Sequence, residues 1–314
     1  MSNLQYNTWD VIKPKILKDT GQEKNKKFSE WLDTKQHLNF YFTSHLWFRA
    51  FKIAHAVNNE DRDHFIVNSG LEGSGKTTLS LQLAAVIDPT FCLDRICYRP
   101  EQFIEGIEHS KKGQAFVLDE GNLFLFSREA MGSNNKIMVK LFALMRQKNL
   151  CVIVNVPNFY TVDSYIRDHR VRTLLEIPKR GYFKCIIGSG ITQVSKDGNK
   201  YKRVGGVHLK DGTYFYGTFR KGIPEMNDIT WETYSRYKQE EFDKFIQDIK
   251  GTVEDYSANS KYIGTKEASR ILNTRQQLIA DWCKAGRLKG VRIGGHWRIK
   301  REIVEKCLEK GLES

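Results

Sequence analysis

Short apolar runs alternate with longer stretches of helical periodicity through the middle of the chain. The stretches at 76–87, 101–109 and 134–147 have the spacing of helices. The apolar runs indicate buried strands, at 65–67, 95–99, 114–119, 150–156 and 172–177. Strands that alternate with helices form a mainly parallel sheet covered on both faces. We therefore expect an α/β fold.

The regions that flank this pattern follow other rules. Aromatic residues at helical spacing over 28–57 predict helices that pack against the sheet. Residues 181–222 combine strand-forming residues with turn signals at 197–199 and 211–212, which predicts one or two antiparallel hairpins at the sheet edge. A charged amphipathic helix is predicted over 231–250.

The two ends of the chain differ from this core. Residues 1–28 are polar and rich in lysine, which predicts a basic flexible arm. The polar, turn-prone segment 251–260 predicts a linker. Residues 261–314 then form a separate small unit.

The chain is basic, with 50 Lys and Arg against 37 Asp and Glu, a formal net charge of +13. This balance favours a polyanionic partner, although basic proteins without one are common. The six cysteines show no C-x-x-C spacing, so we expect reduced packing residues rather than metal ligands or disulfides. No apolar run is long enough to span a membrane and the first residues lack a signal-peptide core, so we expect a cytoplasmic protein without a membrane partner.

The segment NSGLEGSGKTTLS at 68–80 joins a predicted strand to a predicted helix. Residues 70–77 satisfy the phosphate-binding pattern G-x-x-x-x-G-K-[ST] in the context that it requires. Its glycines permit positive φ angles, so that backbone N–H groups and the helix N-terminus can point at a phosphate. Lys76 is expected to reach the β- and γ-phosphates of ATP, and Thr77 to bind Mg²⁺. The expected nucleotide contacts are Gly70, Glu72, Gly73, Ser74, Gly75, Lys76, Thr77 and Thr78.

An acidic pair follows the predicted strand at 114–119. The strand carries Asp119 to its C-terminal end beside the glycine loop, where a carboxylate can hold the Mg²⁺ shell. Glu120 is then placed to polarise the attacking water as general base. Acidic pairs after strands also cap turns, but the position downstream of a glycine loop favours ATP hydrolysis.

Three further residues are candidates for the hydrolysis step. The amide of Asn155, at the end of a buried strand, can bridge the γ-phosphate water and the neighbouring strand, or form a turn before Pro157. An arginine from a neighbouring subunit can stabilise charge on a transferring phosphoryl group. The candidates for that role are Arg146 and Arg128, with a surface salt bridge as the alternative for each.

Several motifs occur in a fixed order after the glycine loop: the acidic pair 119–120, Ser127-Arg128, LFALMRQKNLCVIVNVPNF at 141–159 and VDSYIRDHR at 162–170. With them, the chain resembles the zonular-occludens-toxin-like branch of the FtsK/HerA-type P-loop ATPases over about 64–178. The resemblance implies a RecA-like P-loop ATPase domain over 29–250, with a helical N-terminal extension and a β-hairpin insertion. It also implies a ring-forming homo-oligomer, such as a hexamer, that translocates nucleic acid and hydrolyses ATP at subunit interfaces.

Two features depart from that family. Val154-Asn155 stands where the family usually has Thr-Gln, which puts the sensor role of this strand in doubt. The membrane anchor of the phage-secretion members is missing, which argues against an export pore.

The segment 262–311 has the pattern of two short helices followed by a hairpin. Thr265 is expected to cap the first helix, and Thr274 with Gln277 to form a capping box for the second, which Gly286 closes. VRIGGHWRI at 291–299 alternates apolar and polar residues about a Gly-Gly turn. The spacing predicts a winged helix-turn-helix whose second helix enters the major groove.

The motifs T-K-E-A-S-x-x-L at 265–272, G-R-L at 286–288 and G-G-H-W-R-I at 294–299 resemble the winged helix-turn-helix of the excisionase/MerR-like family. Trp282 and Trp297 are expected in its core. Residues 261–314 carry 13 Lys and Arg against 6 Asp and Glu, which favours DNA over the alternative of a protein-docking domain. The expected DNA contacts are Arg275, Gln276 and Gln277 on the second helix, Arg287, and Arg292, His296 and Arg298 on the wing.

These patterns together predict an ATP-hydrolysing, Mg²⁺-dependent motor of a phage or other mobile element. Its expected partner is double-stranded DNA, with single-stranded DNA as an alternative. A different class stays open, in which ATP switches a DNA-bound regulator or assembly factor that has no motor activity.

Overall fold

The computed structural model describes residues 9–38, 40–119, 141, 143–197, 204, 207–220, 222–260 and 262–310. The chain divides into two compact units, of which the first ends at Tyr237 and the second begins at Lys238. Within the described ranges, no helix has both the length and the apolar character needed to cross a membrane.

A seven-stranded sheet forms the centre of the first unit. Its strands are β1 (His64–Ser69), β2 (Ile96–Cys97), β3 (Ala115–Leu118), β4 (Cys151–Val156), β5 (Val171–Lys179), β6 (Tyr182–Ile187) and β7 (Tyr214–Thr218). Their spatial order is β2-β3-β4-β1-β5-β6-β7. The first five are parallel to one another, whereas β6 and β7 run antiparallel at one edge. The expected α/β class with a mostly parallel sheet is therefore confirmed.

Helices cover both faces of the sheet. They are α1 (Trp9–Asp19), α2 (Lys26–Asp33), α3 (Ser44–Asn59), α4 (Lys76–Ile87), α5 (Pro100–His109), α6 (Ser164–His169) and α7 (Ser189–Asp197), followed by α8 (Trp231–Ser260). Alternate strand residues point to opposite faces. Ile66 accordingly lies in one buried cluster with residues of α3 and α4, and Val67 in another with residues of α5 and α6. Three cysteines are also buried in the sheet: Cys97 in β2, Cys151 in β4 and Cys185 in β6.

Helix α1 lies where the sequence suggested a flexible arm over 1–28. Its residue Ile16 is fully buried, and the ring of Trp9 contacts that of Trp47 at a centroid distance of 5.7 Å. The apolar residues of α1 recur at helical spacing, but lysines lie between them. The overall composition of the segment therefore did not indicate a helix. The described part of this segment therefore packs against the helices that cover the sheet.

The edge of the sheet also differs from the expected hairpins over 181–222. The tight hairpin joins β5 to β6 through Arg180 and Gly181, and Gly181 takes the positive φ of 86° that its turn requires. Helix α7 ends at Asp197, within the turn signal that the sequence suggested. Strand β7 then pairs with β6 after this longer connection.

Helix α8 continues through the predicted linker 251–260, and is a single helix of 30 residues. The segment contains one glycine and no proline, so its composition permits a helix. The division between the two units falls within this helix rather than after residue 250.

The second unit contains a small antiparallel sheet and three short helices. After α8 these are β8 (Tyr262–Gly264), α9 (Thr265–Ile271), α10 (Gln276–Lys284), β9 (Gly290–Ile293), β10 (His296–Lys300) and α11 (Arg301–Lys310), and the strand order is β8-β10-β9. Ile263, Ile279 and Ile299 belong to its buried core, and Trp282 and Trp297 pack against that core as expected.

The helix ends of the second unit differ in detail from the expected caps. Thr265 is the first residue of α9 rather than its N-cap, and α10 begins at Gln276 with Arg275 as N-cap. In the described chain, no side-chain hydrogen bond caps α10, so the expected capping box of Thr274 and Gln277 is absent. The tight turn between the helices instead depends on Asn273, whose φ is 46°.

Candidate functional site

The loop between β1 and α4 turns closely against strand β5. Gly73 and Gly75 have positive φ values of 70° and 94°. Gly70 does not, in contrast to the sequence prediction, but a Cβ at this position would lie 2.5 Å from the backbone oxygen of Ile177. Glycine is therefore required at 70 by the close approach of two backbones, and at 73 and 75 by conformation.

The side chains of this loop leave polar groups available to a ligand. Lys76 Nζ donates to the backbone oxygens of Gly70 at 2.8 Å and Leu71 at 2.9 Å, so its ammonium folds across the loop. Ser74 is buried, and its Oγ has no hydrogen-bond partner among the described residues. Of the other expected contacts, Glu72 is exposed and Thr78 half-buried. A buried hydroxyl without a partner is costly, and an acceptor in the loop would satisfy it.

Thr77, Asp119 and Asn155 converge beside the loop, although they come from three separate elements. Thr77 Oγ1 lies 3.1 Å from each carboxylate oxygen of Asp119, and Asn155 Nδ2 donates to Asp119 Oδ1 at 2.8 Å. The strand order places β3, β4 and β1 side by side and parallel, so their carboxyl ends meet at one edge. The carboxylate and hydroxyl oxygens are ligands of the kind that Mg²⁺ prefers.

Both ends of the Asn155 amide are engaged within the protein. Its Oδ1 accepts from Ser80 Oγ at 2.5 Å, and Ser80 Oγ in turn accepts from Asn68 Nδ2 at 2.7 Å. Asn68 pairs with Asn155 across β1 and β4, which aligns the two side chains. Asn155 is thus buried within β4 and orients Asp119 of the neighbouring strand, rather than forming a turn before Pro157. Its expected contact with the γ-phosphate water stays a prediction.

The remaining hydrolysis candidates are less fully placed. Glu120 and Arg128 lie outside the described residues. Arg146 is exposed at the end of the helical segment 143–147, immediately before β4. An exposed position is compatible with a contact to a neighbouring subunit and equally with a surface salt bridge.

Two residues beside the loop were missed by the sequence analysis. A Cβ on Gly75 would lie 3.2 Å from the ring of Phe219 and 4.0 Å from Cγ of Arg180. Arg180 lies on the β5–β6 turn, so the hairpin brings the aliphatic part of this side chain close to the glycine loop. Nothing near Arg180 in the sequence signals this position, because the contact depends on β5 lying next to β1 in the sheet.

Two buried phenols near Asp119 were also missed. Tyr98 follows β2, and Tyr234 lies in the first turns of α8. Burial raises the pKa of both phenols, that of Tyr234 to about 12, and the negative charge of Asp119 adds to the shift. Both phenols therefore stay neutral at physiological pH.

The second helix of the C-terminal unit exposes all three of the residues expected to face DNA. Arg275, Gln276 and Gln277 are exposed at its start. Gln276 Nε2 donates to Thr265 Oγ1 at 3.0 Å, which ties it to the start of α9. Gln277 Nε2 donates to Asp281 Oδ1 at the longer distance of 3.5 Å.

The outward face of α10 includes two residues that the sequence analysis missed. Ile279 and Cys283 are buried, so helical spacing places Gln277, Asp281 and Lys284 on the opposite face. Lys284 Nζ lies 3.6 Å from Asp281 Oδ1. A carboxylate on this face can accept a hydrogen bond from a cytosine amino group, and a lysine can contact phosphate.

The residues of the wing that were expected to contact DNA lie on two different faces of the β9–β10 hairpin. Directly opposed residues of an antiparallel pair share a face, and Arg292 lies opposite Trp297. Trp297 and Ile299 face the core, so Arg292 lies on the side of the wing that faces the core, although it is exposed. His296 and Arg298 lie on the other, solvent-facing side.

Residues 262–311 match the family model of the helix-turn-helix domain. The match runs from β8 to the end of α11. A search of curated proteins found no match to the chain.

The helix-turn-helix domain is a DNA-binding module, and its surface charge fits that role. Residues 261–314 carry a net charge of +7, from 13 Lys and Arg against 6 Asp and Glu. Arg287, Arg275 and Arg298 are all exposed. A basic surface of this kind supplies the phosphate contacts that hold a protein on DNA.

Proposed function

We propose that the protein is an ATP-hydrolysing motor that acts on double-stranded DNA, with its helix-turn-helix domain as a tethered DNA contact. One observation carries the proposal: the hydrogen bonds from Thr77 and Asn155 to Asp119, beside a glycine loop at the carboxyl edge of parallel strands. This arrangement supports the proposal of a site for a metal-bound triphosphate.

The described residues fit MgATP. Backbone N–H groups at the start of α4, Lys76 and the unpartnered Ser74 hydroxyl are donors suited to phosphate oxygens. Thr77 and Asp119 supply oxygen ligands suited to Mg²⁺. When bound, the metal neutralises charge on the β- and γ-phosphates. Lys76 would exchange its bonds to the loop carbonyls for bonds to phosphate.

Hydrolysis then requires groups that act on water and on developing charge. Glu120 follows Asp119 directly, and we assign it the role of general base. Asn155 holds the carboxylate of Asp119 in position from the side of β4. We assign the charge-stabilising arginine to Arg146 or Arg128 of a neighbouring subunit, which makes a homo-oligomeric ring, such as a hexamer, part of the proposal. The RecA-like domain architecture belongs to the same proposal.

A second candidate is a regulator that ATP switches without movement along DNA. The helix-turn-helix domain supports the regulator and the motor equally, because such a domain binds DNA whether or not a motor is attached. Single-stranded DNA remains an alternative substrate for the motor.

The test is the steady-state rate of ATP hydrolysis by the full chain with Mg²⁺, in the absence and presence of duplex DNA. The proposal expects hydrolysis that rises strongly with DNA and is lost in Lys76→Ala. Hydrolysis at the same rate with and without DNA would favour the switch. A preparation in which Lys76→Ala hydrolyses ATP as fast as the native chain would refute the nucleotide site.

A further inference from the structure

A cavity lies beside the first residues of strands β1 and β5, at the opposite end of these strands from the glycine loop. It has a volume of about 670 Å³ and is lined by parts of α2, α3 and the loop after β6, with the first residues of β1 and β5. His64 and Arg172 mark this end, whereas Ser69 and Lys179 mark the other ends of the same two strands. The size is within the range of small-ligand sites.

Basic residues outnumber carboxylates in the lining of the cavity. The basic residues that line it are Lys27, Arg49, Lys52, Arg62 and Arg172, and the carboxylates are Glu60 and Asp63. Both carboxylates already have cationic partners: Asp63 pairs with Arg170, and Glu60 pairs with Arg62. Among the described residues, neither Arg49 nor Arg172 has a carboxylate within salt-bridge distance.

Arg49 is fixed in this position. Its Nη2 donates to Thr173 Oγ1 at 2.7 Å and to the backbone oxygen of Arg172 at 3.1 Å, and its Nε donates to Thr173 Oγ1 at 3.2 Å. These acceptors are neutral, so they orient the guanidinium without compensating its charge. A half-buried, oriented cation without a counter-charge favours an anion beside it.

The protonation state of His64 reflects the same excess of positive charge. Burial, Arg49 and Arg172 together hold the pKa of His64 well below its ordinary value. Burial likewise lowers the pKa of Arg49. A neutral imidazole therefore lies 2.9 Å from Thr173 Oγ1, next to two guanidinium groups.

We propose that this cavity binds a phosphate group, from a free phosphorylated ligand or from a nucleic-acid backbone. Guanidinium groups match the geometry of phosphate oxygens, and Lys27 and Lys52 add charge at the rim of the cavity. The site is separate from the glycine loop and does not depend on ATP hydrolysis.

The test uses Lys76→Ala as background, because it weakens phosphate binding at the glycine loop. Pyrophosphate is titrated into the full-length protein by calorimetry. We expect saturable binding that Arg172→Gln weakens roughly tenfold, since a charge-assisted hydrogen bond is removed. Lys15→Gln removes the same charge from an exposed position on α1 that does not line the cavity, and should leave binding unchanged.

Arg172 is exposed, so its replacement is compatible with folding, and thermal unfolding of each variant verifies this. A single-stranded oligonucleotide titrated into the same variants separates the two sources of phosphate. Weaker binding of both ligands by Arg172→Gln assigns the site to a nucleic-acid backbone, and an effect on pyrophosphate alone assigns it to a free ligand. Absence of saturable pyrophosphate binding, or equal binding by Arg172→Gln and Lys15→Gln, would overturn the proposal.

Discussion

Asn155 shows how a residue that need not touch a ligand can determine a site. Its amide links Asp119 to the buried Ser80 and Asn68, so the carboxylate is held through β4, α4 and β1. Without the Asn155 amide, Asp119 would lose the neutral hydrogen-bond donor that keeps its carboxylate turned toward Thr77. Residues that hold a metal ligand in position affect metal affinity nearly as strongly as the ligands themselves.

We expect Asn155→Ala to raise the Mg²⁺ concentration required for half-maximal ATP hydrolysis by about 10- to 100-fold. A magnesium titration at fixed ATP measures this, with Asn59→Ala, at the exposed end of α3, as a control for amide loss. A reduced rate with unchanged magnesium dependence would show that Asn155 acts on stability or on water rather than on Asp119.

Substitutions of Glu120 and Lys76 should have different effects on ATP binding and turnover. Glu120→Gln keeps the size of the side chain but removes the base, so ATP binding should persist while turnover falls by at least roughly a hundredfold. Lys76→Ala removes a phosphate contact and should weaken binding itself. Fluorescent-nucleotide binding and hydrolysis are compared for both variants. Normal hydrolysis by Glu120→Gln would show that the base is another residue.

At the scale of the element, the parallel sheet and the glycine loop could be predicted because their signals are local. An apolar run, a glycine turn and a helix lie next to each other in sequence, from 64 to 87. The convergence on Asp119 could be predicted only in part: the role of Asn155 depends on its register with Asn68 across β1 and β4, which no local pattern encodes. The contact of Arg180 with the loop depends in the same way on strand order.

Composition alone did not identify the helices whose residues are mostly polar. The segment 1–28 suggested an arm and 251–260 a linker, but the first contains α1 and the start of α2, and α8 runs through the second. Lysine-rich and polar sequences form helices readily when one face is apolar or when proline is absent. The long connection between β6 and β7 was missed because turn residues near 197 lie at a helix end.

The two faces of the wing lead to a prediction about DNA binding. Arg298 lies on the solvent-facing side with His296, whereas Arg292 lies on the side of Trp297. We expect Arg298→Ala to weaken binding to all duplexes alike and to reduce the salt slope by about one phosphate contact. Arg292→Ala is the matched control and should have the smaller effect. Binding across a salt series decides between them, and a larger loss from Arg292→Ala would reverse the assignment of the faces.

At the scale of the whole molecule, the proposed nucleotide site and the helix-turn-helix domain lie in different units. The glycine loop and Asp119 lie in the first unit, and the helix-turn-helix domain lies in the second. Each unit has its own buried core. This division predicts that one activity can be removed without the other.

Deletion of residues 262–314 should lower affinity for duplex DNA and leave the basal rate of ATP hydrolysis intact. The deletion removes the small core of the second unit and none of the residues around the glycine loop. Hydrolysis without DNA and binding by fluorescence anisotropy measure the two effects. Loss of basal hydrolysis in the shortened chain would contradict the separation of the units.

The central claim, that the protein moves along DNA at the expense of ATP, is tested most directly by displacement of a third strand from a triplex. A duplex carrying a labelled triplex-forming oligonucleotide is incubated with the full chain, Mg²⁺ and ATP. A motor releases the oligonucleotide at a rate that depends on ATP, and Glu120→Gln, which binds ATP without turnover, leaves it in place. ATP hydrolysis that DNA stimulates without any release of the third strand would contradict the motor and leave the nucleotide-switched regulator.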